Sequence, residues 1–324
     1  MDWMYILLVA LGFFALVGGG ELLVRGASHL AVRLGISPLV IGLTVVAYGT
    51  SAPELAVGVA AGLKGSSDLA LANVVGSNLF NTLLILGLCG LIAPLVIKTQ
   101  LVKLDVPVMI GVSLLVAGIA WNGQISALEG ALLFGLAVAY TVWLLRHSKA
   151  HPEDADEFAE LAAPPTNWFE RGLSGQLLLI AGGAVALSFG SDWLVEGATG
   201  IARAFGVSEV VIGLTLVAAG TSLPELMTSL MATFKGERDL AVGNVVGSNI
   251  FNLLMILGIS SMITPGGLGV DPNILEFDLP ILLLATLACL PIFITGKVIS
   301  RFEGALFFGG YLAYLSVLVW RTLG

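Results

Sequence analysis

Charge is scarce in this chain. Of 324 residues only 11% are Asp, Glu, Lys or Arg, while 57% are hydrophobic. A soluble domain carries about 25% charged residues to cover its surface, so that class is excluded. Cysteine and histidine are rarer still. Cys89 and Cys289 lie inside apolar runs, and His29, His147 and His151 share no ligand spacing. A disulfide framework and a zinc or copper site are therefore not expected. No cofactor and no nucleic-acid partner are expected either.

Apolar sequence is abundant. It comes in runs of about 20 residues, each able to cross roughly 30 Å of hydrocarbon as a helix. The first run follows Met1-Asp2-Trp3 without a basic leader, so it reads as a membrane helix and not as a cleaved signal peptide. The net charge of −8 has a local source: Glu153, Asp154, Asp156, Glu157, Glu160 and Glu170 all fall in the polar stretch 147–171. That stretch reads as a solvated linker.

The chain is a duplication. Gly35–Gly87 aligns with Gly206–Gly258 at an offset of 171 without gaps, and 33 of the 53 positions are identical. Gly49-Thr50-Ser51 matches Gly220-Thr221-Ser222, and Pro53-Glu54-Leu55 matches Pro224-Glu225-Leu226. Asn73 through Asn78 matches Asn244 through Asn249. Further on, Asp105-Val106-Pro107 resembles Asp278-Leu279-Pro280, and Glu129-Gly130-Ala131-Leu132 resembles Glu303-Gly304-Ala305-Leu306. The expected organisation is a first half over 1–146, an acidic loop over 147–173 and a second half over 174–324.

Spans are expected near 3–24, 38–62, 69–95, 103–121 and 126–146, then near 174–195, 209–234, 240–264, 275–295 and 302–322. Five per half is odd, so the second half enters the membrane from the opposite side. The expected fold is thus an all-α membrane protein of ten transmembrane helices in two inverted five-helix repeats. With both termini outside, 11 of the 14 Lys and Arg residues fall in inside loops. The expected location is the inner membrane of a prokaryote, with the acidic loop in the cytoplasm and a single chain as the working unit.

Glu54 lies deep in an apolar run, and Glu225 repeats it. A carboxylate at that depth costs several kcal/mol unless it faces a cavity, a partner or an ion. Neither segment has a Lys or Arg to neutralise it. Two such anions facing each other repel strongly at low dielectric, and cations relieve that repulsion. Helical spacing puts Thr50 and Ser51 on the face of Glu54, and Thr221 and Ser222 on that of Glu225. Pro53 and Pro224 lack an N–H, which frees the carbonyls of Gly49 and Gly220 for a metal. The next span carries Asn73, Ser77 and Asn81, matched by Asn244, Ser248 and Asn252. Asn73 and Asn244 read equally as interhelical glue; Ser77, Asn81, Ser248 and Asn252 read as ion contacts. These oxygen donors suit calcium, sodium, magnesium or manganese.

The segments 49–54 with 76–81, and 220–225 with 247–252, resemble the two α-repeats of the sodium/calcium exchanger family, over nearly the whole chain. The resemblance implies an antiporter of Ca2+ against Na+ with a midplane site. Glu54 and Glu225 would be the main Ca2+ ligands. Thr50, Ser51, Thr221 and Ser222 would bind Ca2+ or Na+, Ser77 and Ser248 would line Na+ sites, and Asn81 and Asn252 would sit between. It also implies that the first and sixth helices slide past the rest, a contact that Gly18-Gly19-Gly20 and Gly182-Gly183 suit. Many family members carry Asp where this chain has Asn252, so this site keeps two carboxylates. The alternative is an H+-coupled antiporter of divalent cations. A cation channel and an intramembrane hydrolase using Ser51 or Ser222 are the competing classes. The second lacks a His or Lys base in those segments.

Overall fold

The computed structural model describes residues 3–64, 67–150 and 168–323. Long helices form wherever apolar runs are bounded by Gly, Pro or polar residues. In the first half these are α1 (Trp3–Leu34), α2 (Pro38–Thr50), α3 (Ala52–Leu63), α4 (Leu69–Ile92), α5 (Leu101–Ala120) and α6 (Ala127–Ala150). The second half repeats them as α7 (Leu173–Ala204), α8 (209–220), α9 (Leu223–Phe234), α10 (Arg238–Ile263), α11 (Ile274–Ile294) and α12 (Arg301–Leu323).

Among the described residues, 8 helices are long and apolar enough to cross a membrane, and α2 with α3 makes a ninth span bent by 48°. The expected tenth, 209–234, is likewise two pieces, α8 and α9. The sequence placed one span at each of these positions with a proline kink inside it, and the kink is a full break. Proline breaks them, because Pro53 and Pro224 cannot donate to the preceding turn. At the other extreme, α1 and α7 run for 32 residues each, about 48 Å, and overshoot the expected ends at 24 and 195. Their last turns are too polar to register in a hydropathy reading.

Of the acidic loop, residues 151–167 lie outside the described residues, Glu153, Asp154, Asp156, Glu157 and Glu160 among them. Glu170 departs from the solvated reading: it is buried and pairs with Arg25 Nη1 at 3.3 Å.

Among the described residues, six π-helical turns punctuate the helices, and each has a partner in the other half. Gly42–Val46 matches Gly213–Val217, Phe80–Ile85 matches Asn252–Ile256, and Leu101–Asp105 matches Ile274–Asp278. Such turns widen the helix and reset which residues share a face. Two antiparallel clips tie the halves at their ends. β1 (Leu95–Val96) pairs with β4 (Val298–Ile299), and β2 (Gln124–Ile125) with β3 (Leu268–Gly269). The repeated Asp-x-Pro motifs serve packing. Tyr140 Oη donates to Asp105 Oδ1 and Tyr314 Oη to Asp278 Oδ1, each at 2.8 Å, joining α5 to α6 and α11 to α12.

Burial identifies the centre of the bundle. The apolar window of α10 is 94% buried and that of α4 is 72% buried, against 11% for α12. Helices α4 and α10 are thus the inner pair, and the outer helices turn their apolar side chains to lipid.

Candidate functional site

The site begins at the two helix breaks. Ser51 (φ −83°, ψ 12°) and Ser222 (φ −91°, ψ 3°) leave helical geometry, and new helices start immediately after them. Proline fits the first turn of a helix, where its missing N–H is no loss. Glu54 and Glu225 therefore lie in the first turns of α3 and α9. The positive ends of these helices favour a carboxylate, which helps explain how both acids tolerate full burial without a basic partner. No ion pair among the described residues involves either one.

The hydroxyls cross between the halves. Ser51 Oγ donates to Glu225 Oε1 at 2.7 Å, and Ser222 Oγ donates to Glu54 Oε1 at 3.0 Å. Helical spacing suggested that each serine serves the glutamate of its own half; the break turns it to the other one. Ser77 Oγ also donates to Glu54 Oε1, at 3.4 Å. Its counterpart Ser248 has a buried hydroxyl without a hydrogen bond. Thr50 Oγ1 donates to Asn244 Oδ1 at 3.2 Å and Thr221 Oγ1 to Asn73 Oδ1 at 3.3 Å. Each Thr hydroxyl spends its proton on an amide and keeps lone pairs that can accept a cation.

Asn81 and Asn252 do not bond to either glutamate. Asn81 stands one turn beyond Ser77, about 6 Å along the axis. Both belong to an amide network across the pseudo-twofold axis. Asn81 Nδ2 donates to Asn249 Oδ1 at 3.1 Å, and Asn252 Nδ2 to Asn78 Oδ1 at 3.0 Å. Asn78 and Asn249 stand in the repeated motif, but the sequence gives them the same letters as their neighbours and no separate signal. The two inner helices, α4 and α10, carry all four.

Four carboxylate and amide oxygens remain without a partner, all fully buried: Glu54 Oε2, Glu225 Oε2, Asn81 Oδ1 and Asn252 Oδ1, in addition to the Ser248 hydroxyl and the Asn73 Nδ2 donor. Buried polar atoms are normally paired, so four orphaned acceptors in one repeated motif set require a reason. A cation is the class of ligand that such a set attracts, because it needs acceptors and offers no competing lone pair. One doubly charged ion, or two singly charged ones, also cancels the two carboxylates. The freed carbonyls behave unequally. Gly220 O is taken by Ser191 Oγ, whereas the first half has Gly20 at that place and no hydroxyl to offer Gly49. Gly220 thus departs from the expectation of a carbonyl free for metal.

The chain is similar to known proteins along nearly its whole length. The family described as "Sodium/calcium exchanger protein" matches residues 4–146 and 175–320. A "Putative antiporter CaxA" of Alkalimonas amylolytica is 38% identical, covering 96% of this chain and 97% of its own. The "Inner membrane protein YrbG" of Escherichia coli is 36% identical, with 97% of each chain covered. The "Sodium/calcium exchanger MaX1" of Methanosarcina acetivorans is 33% identical over 96% of this chain and 97% of its own. Among solved structures, the sodium-calcium exchanger NCX_Mj superposes with a TM-score of 0.83 at 29% identity, covering 98% of this chain and 100% of that one.

Proposed function

The chain belongs to the sodium/calcium exchanger family, and on that premise we propose that it exchanges Ca2+ for Na+ across a prokaryotic inner membrane by alternating access. Its family and fold are those of a multi-pass secondary transporter and not of an enzyme. The four orphaned oxygens of Glu54, Glu225, Asn81 and Asn252 carry the reading. Hard oxygen donors with two negative charges suit Ca2+ and Na+, and the hydroxyls of Thr50, Ser51, Ser77, Thr221, Ser222 and Ser248 complete the ligand set. The halves 1–146 and 174–324 supply the same ligands from opposite sides, and both termini lie outside by the distribution of Lys and Arg.

Alternating access draws support from unequal packing of the halves. A Cβ on Gly42 of α2 would lie 2.7 Å from Leu240 O of α10, while one on the equivalent Gly213 of α8 would meet nothing within 4 Å among the described residues. One broken helix is closed over the inner pair and its twin stands off.

Reconstituted protein tests the assignment. Na+-loaded proteoliposomes should take up Ca2+, and a K+ gradient alone should drive nothing. Uptake that follows only a pH gradient would transfer the coupling to H+; no uptake under any gradient would end the antiporter reading.

A further inference from the structure

We propose that Asn78 and Asn249 are positioning residues that fix which end of the Asn81 and Asn252 amides faces the cation. The inference rests on the cation-site reading above and adds its orientation control. An asparagine amide offers an oxygen at one end and an NH2 at the other, with nearly the same shape. Only the oxygen end binds a cation; the NH2 end repels it. A site with two Asn ligands therefore needs something that reads the difference.

The network supplies it through groups that can only accept. Asn78 Nδ2 donates to the backbone carbonyl of Asn249 at 3.1 Å. A carbonyl has no proton to give, so the Asn78 amide has one allowed orientation. Its Oδ1 must then accept, and the only end of Asn252 that can donate to it is Nδ2. Asn252 Oδ1 is left facing away from Asn78, unpaired.

The second branch is anchored in the same manner by a different atom. Asn249 Nδ2 donates to Thr82 Oγ1 at 2.7 Å and reaches Met109 Sδ at 3.6 Å. A thioether has no proton either. Asn249 Oδ1 is thereby committed to accept from Asn81 Nδ2, and Asn81 Oδ1 is the end released. Each half thus orients the ligand amide of the other, and the direction is set by a backbone carbonyl and a sulfur.

A carboxylate has no wrong end, and this makes the inference testable. In Asn81→Asp both ends are oxygen, so its orientation no longer needs Asn249. Ca2+ titration calorimetry on the full purified chain, in Na+-free buffer, would compare wild type, N249L, N81D and N249L/N81D, with thermal melting as the check on folding. N249L should weaken Ca2+ binding about tenfold against wild type, as expected for coupled neighbours. N249L/N81D should bind within about twofold of N81D alone. A structural role would lower the melting temperature in both backgrounds and weaken Ca2+ by the same factor in both; that result overturns the inference, as does N249L binding like wild type. Should N249L not fold, the mirror cycle of N78L with N252D decides by the same criterion. An unaltered chain that binds neither Ca2+ nor Na+ would overturn the cation-site reading together with this one, whereas equal losses in both backgrounds remove this one alone.

Discussion

Ser51 and Ser222 each stand three residues before one glutamate and bond to the other, so neither carboxylate belongs to a single half. When both are ionised the two carboxylates repel, and a bound cation relieves that repulsion. Glu54→Gln removes one charge and keeps an oxygen for Ser222. Two unit charges about 4 Å apart interact by roughly 4 kcal/mol at an effective dielectric near 20. A loss of that size corresponds to about three orders of magnitude in Ca2+ affinity, readable by calorimetry. The same change should raise the melting temperature of the cation-free protein, because it relieves repulsion. A lower melting temperature without cations would contradict the charge argument. The acids were legible in the sequence because a carboxylate in an apolar run is costly and this one recurs in both copies of the motif. The crossed serines were not, since helical spacing holds only until the helix breaks, and Pro53 and Pro224 break it at the serines themselves. The amide direction at Asn78 and Asn249 was out of reach because both ends of an amide share one letter.

Helices α1 and α7 meet through a glycine seam with a spacing of seven: Gly12, Gly19 and Gly26 on one, Gly183, Gly190 and Gly197 on the other. Without side chains at these positions the two backbones approach closely, which is how membrane helices gain packing where lipid gives no hydrophobic drive. The sequence drew attention to Gly18-Gly19-Gly20 and Gly182-Gly183. Of these, Gly19 and Gly183 sit on the seam; Gly20 faces Met227 and Met231 of α9, and Gly18 and Gly182 meet nothing within 4 Å among the described residues. Composition reveals glycine but not the face it occupies. Adjacent substitutions separate the two cases. A Cβ on Gly183 would lie 2.7 Å from Gly19 O. Gly183→Ala should therefore cost about 1–3 kcal/mol as an overpacked contact, seen as a lower melting temperature. Gly182→Ala, one residue away on the open face, should leave stability unchanged or slightly raised, because Ala is the better helix former. Equal effects of the two would mean that the seam does not hold these helices.

The two halves share most of their central sequence yet pack differently, and an alignment is blind to that difference because it compares letters. Leu43 of α2 closes on Gly247 of α10, where a Cβ would lie 2.6 Å from Leu43 O, while the equivalent broken helix α8 leaves Gly213 clear of the other described residues. A sequence that is stable in both arrangements can exchange them, and alternating access requires that exchange. The same inequality holds among charges. At the end of α9, Lys235 Nζ sits 2.7 Å from Glu21 Oε1 of α1. The equivalent residues at the opposite face are Lys64, at the end of α3, and Asp192 on α7; both are exposed, and among the described residues no ion pair joins them. If the halves trade arrangements, Glu21–Lys235 opens and Asp192–Lys64 forms. A pair of this exposure contributes only about 0.2–1 kcal/mol, so it biases the equilibrium without locking it. Glu21→Gln should thus shift the populations of the two arrangements by roughly 1.4- to 5-fold, away from the closed α1–α9 contact. Spin-label distances across each pair would report the shift. Lys235→Gln removes the same pair from the other end while leaving Glu21 beside Arg25, and should shift the distribution in the same direction. A distribution that ignores both substitutions would mean that the pair is a surface contact with no part in the exchange.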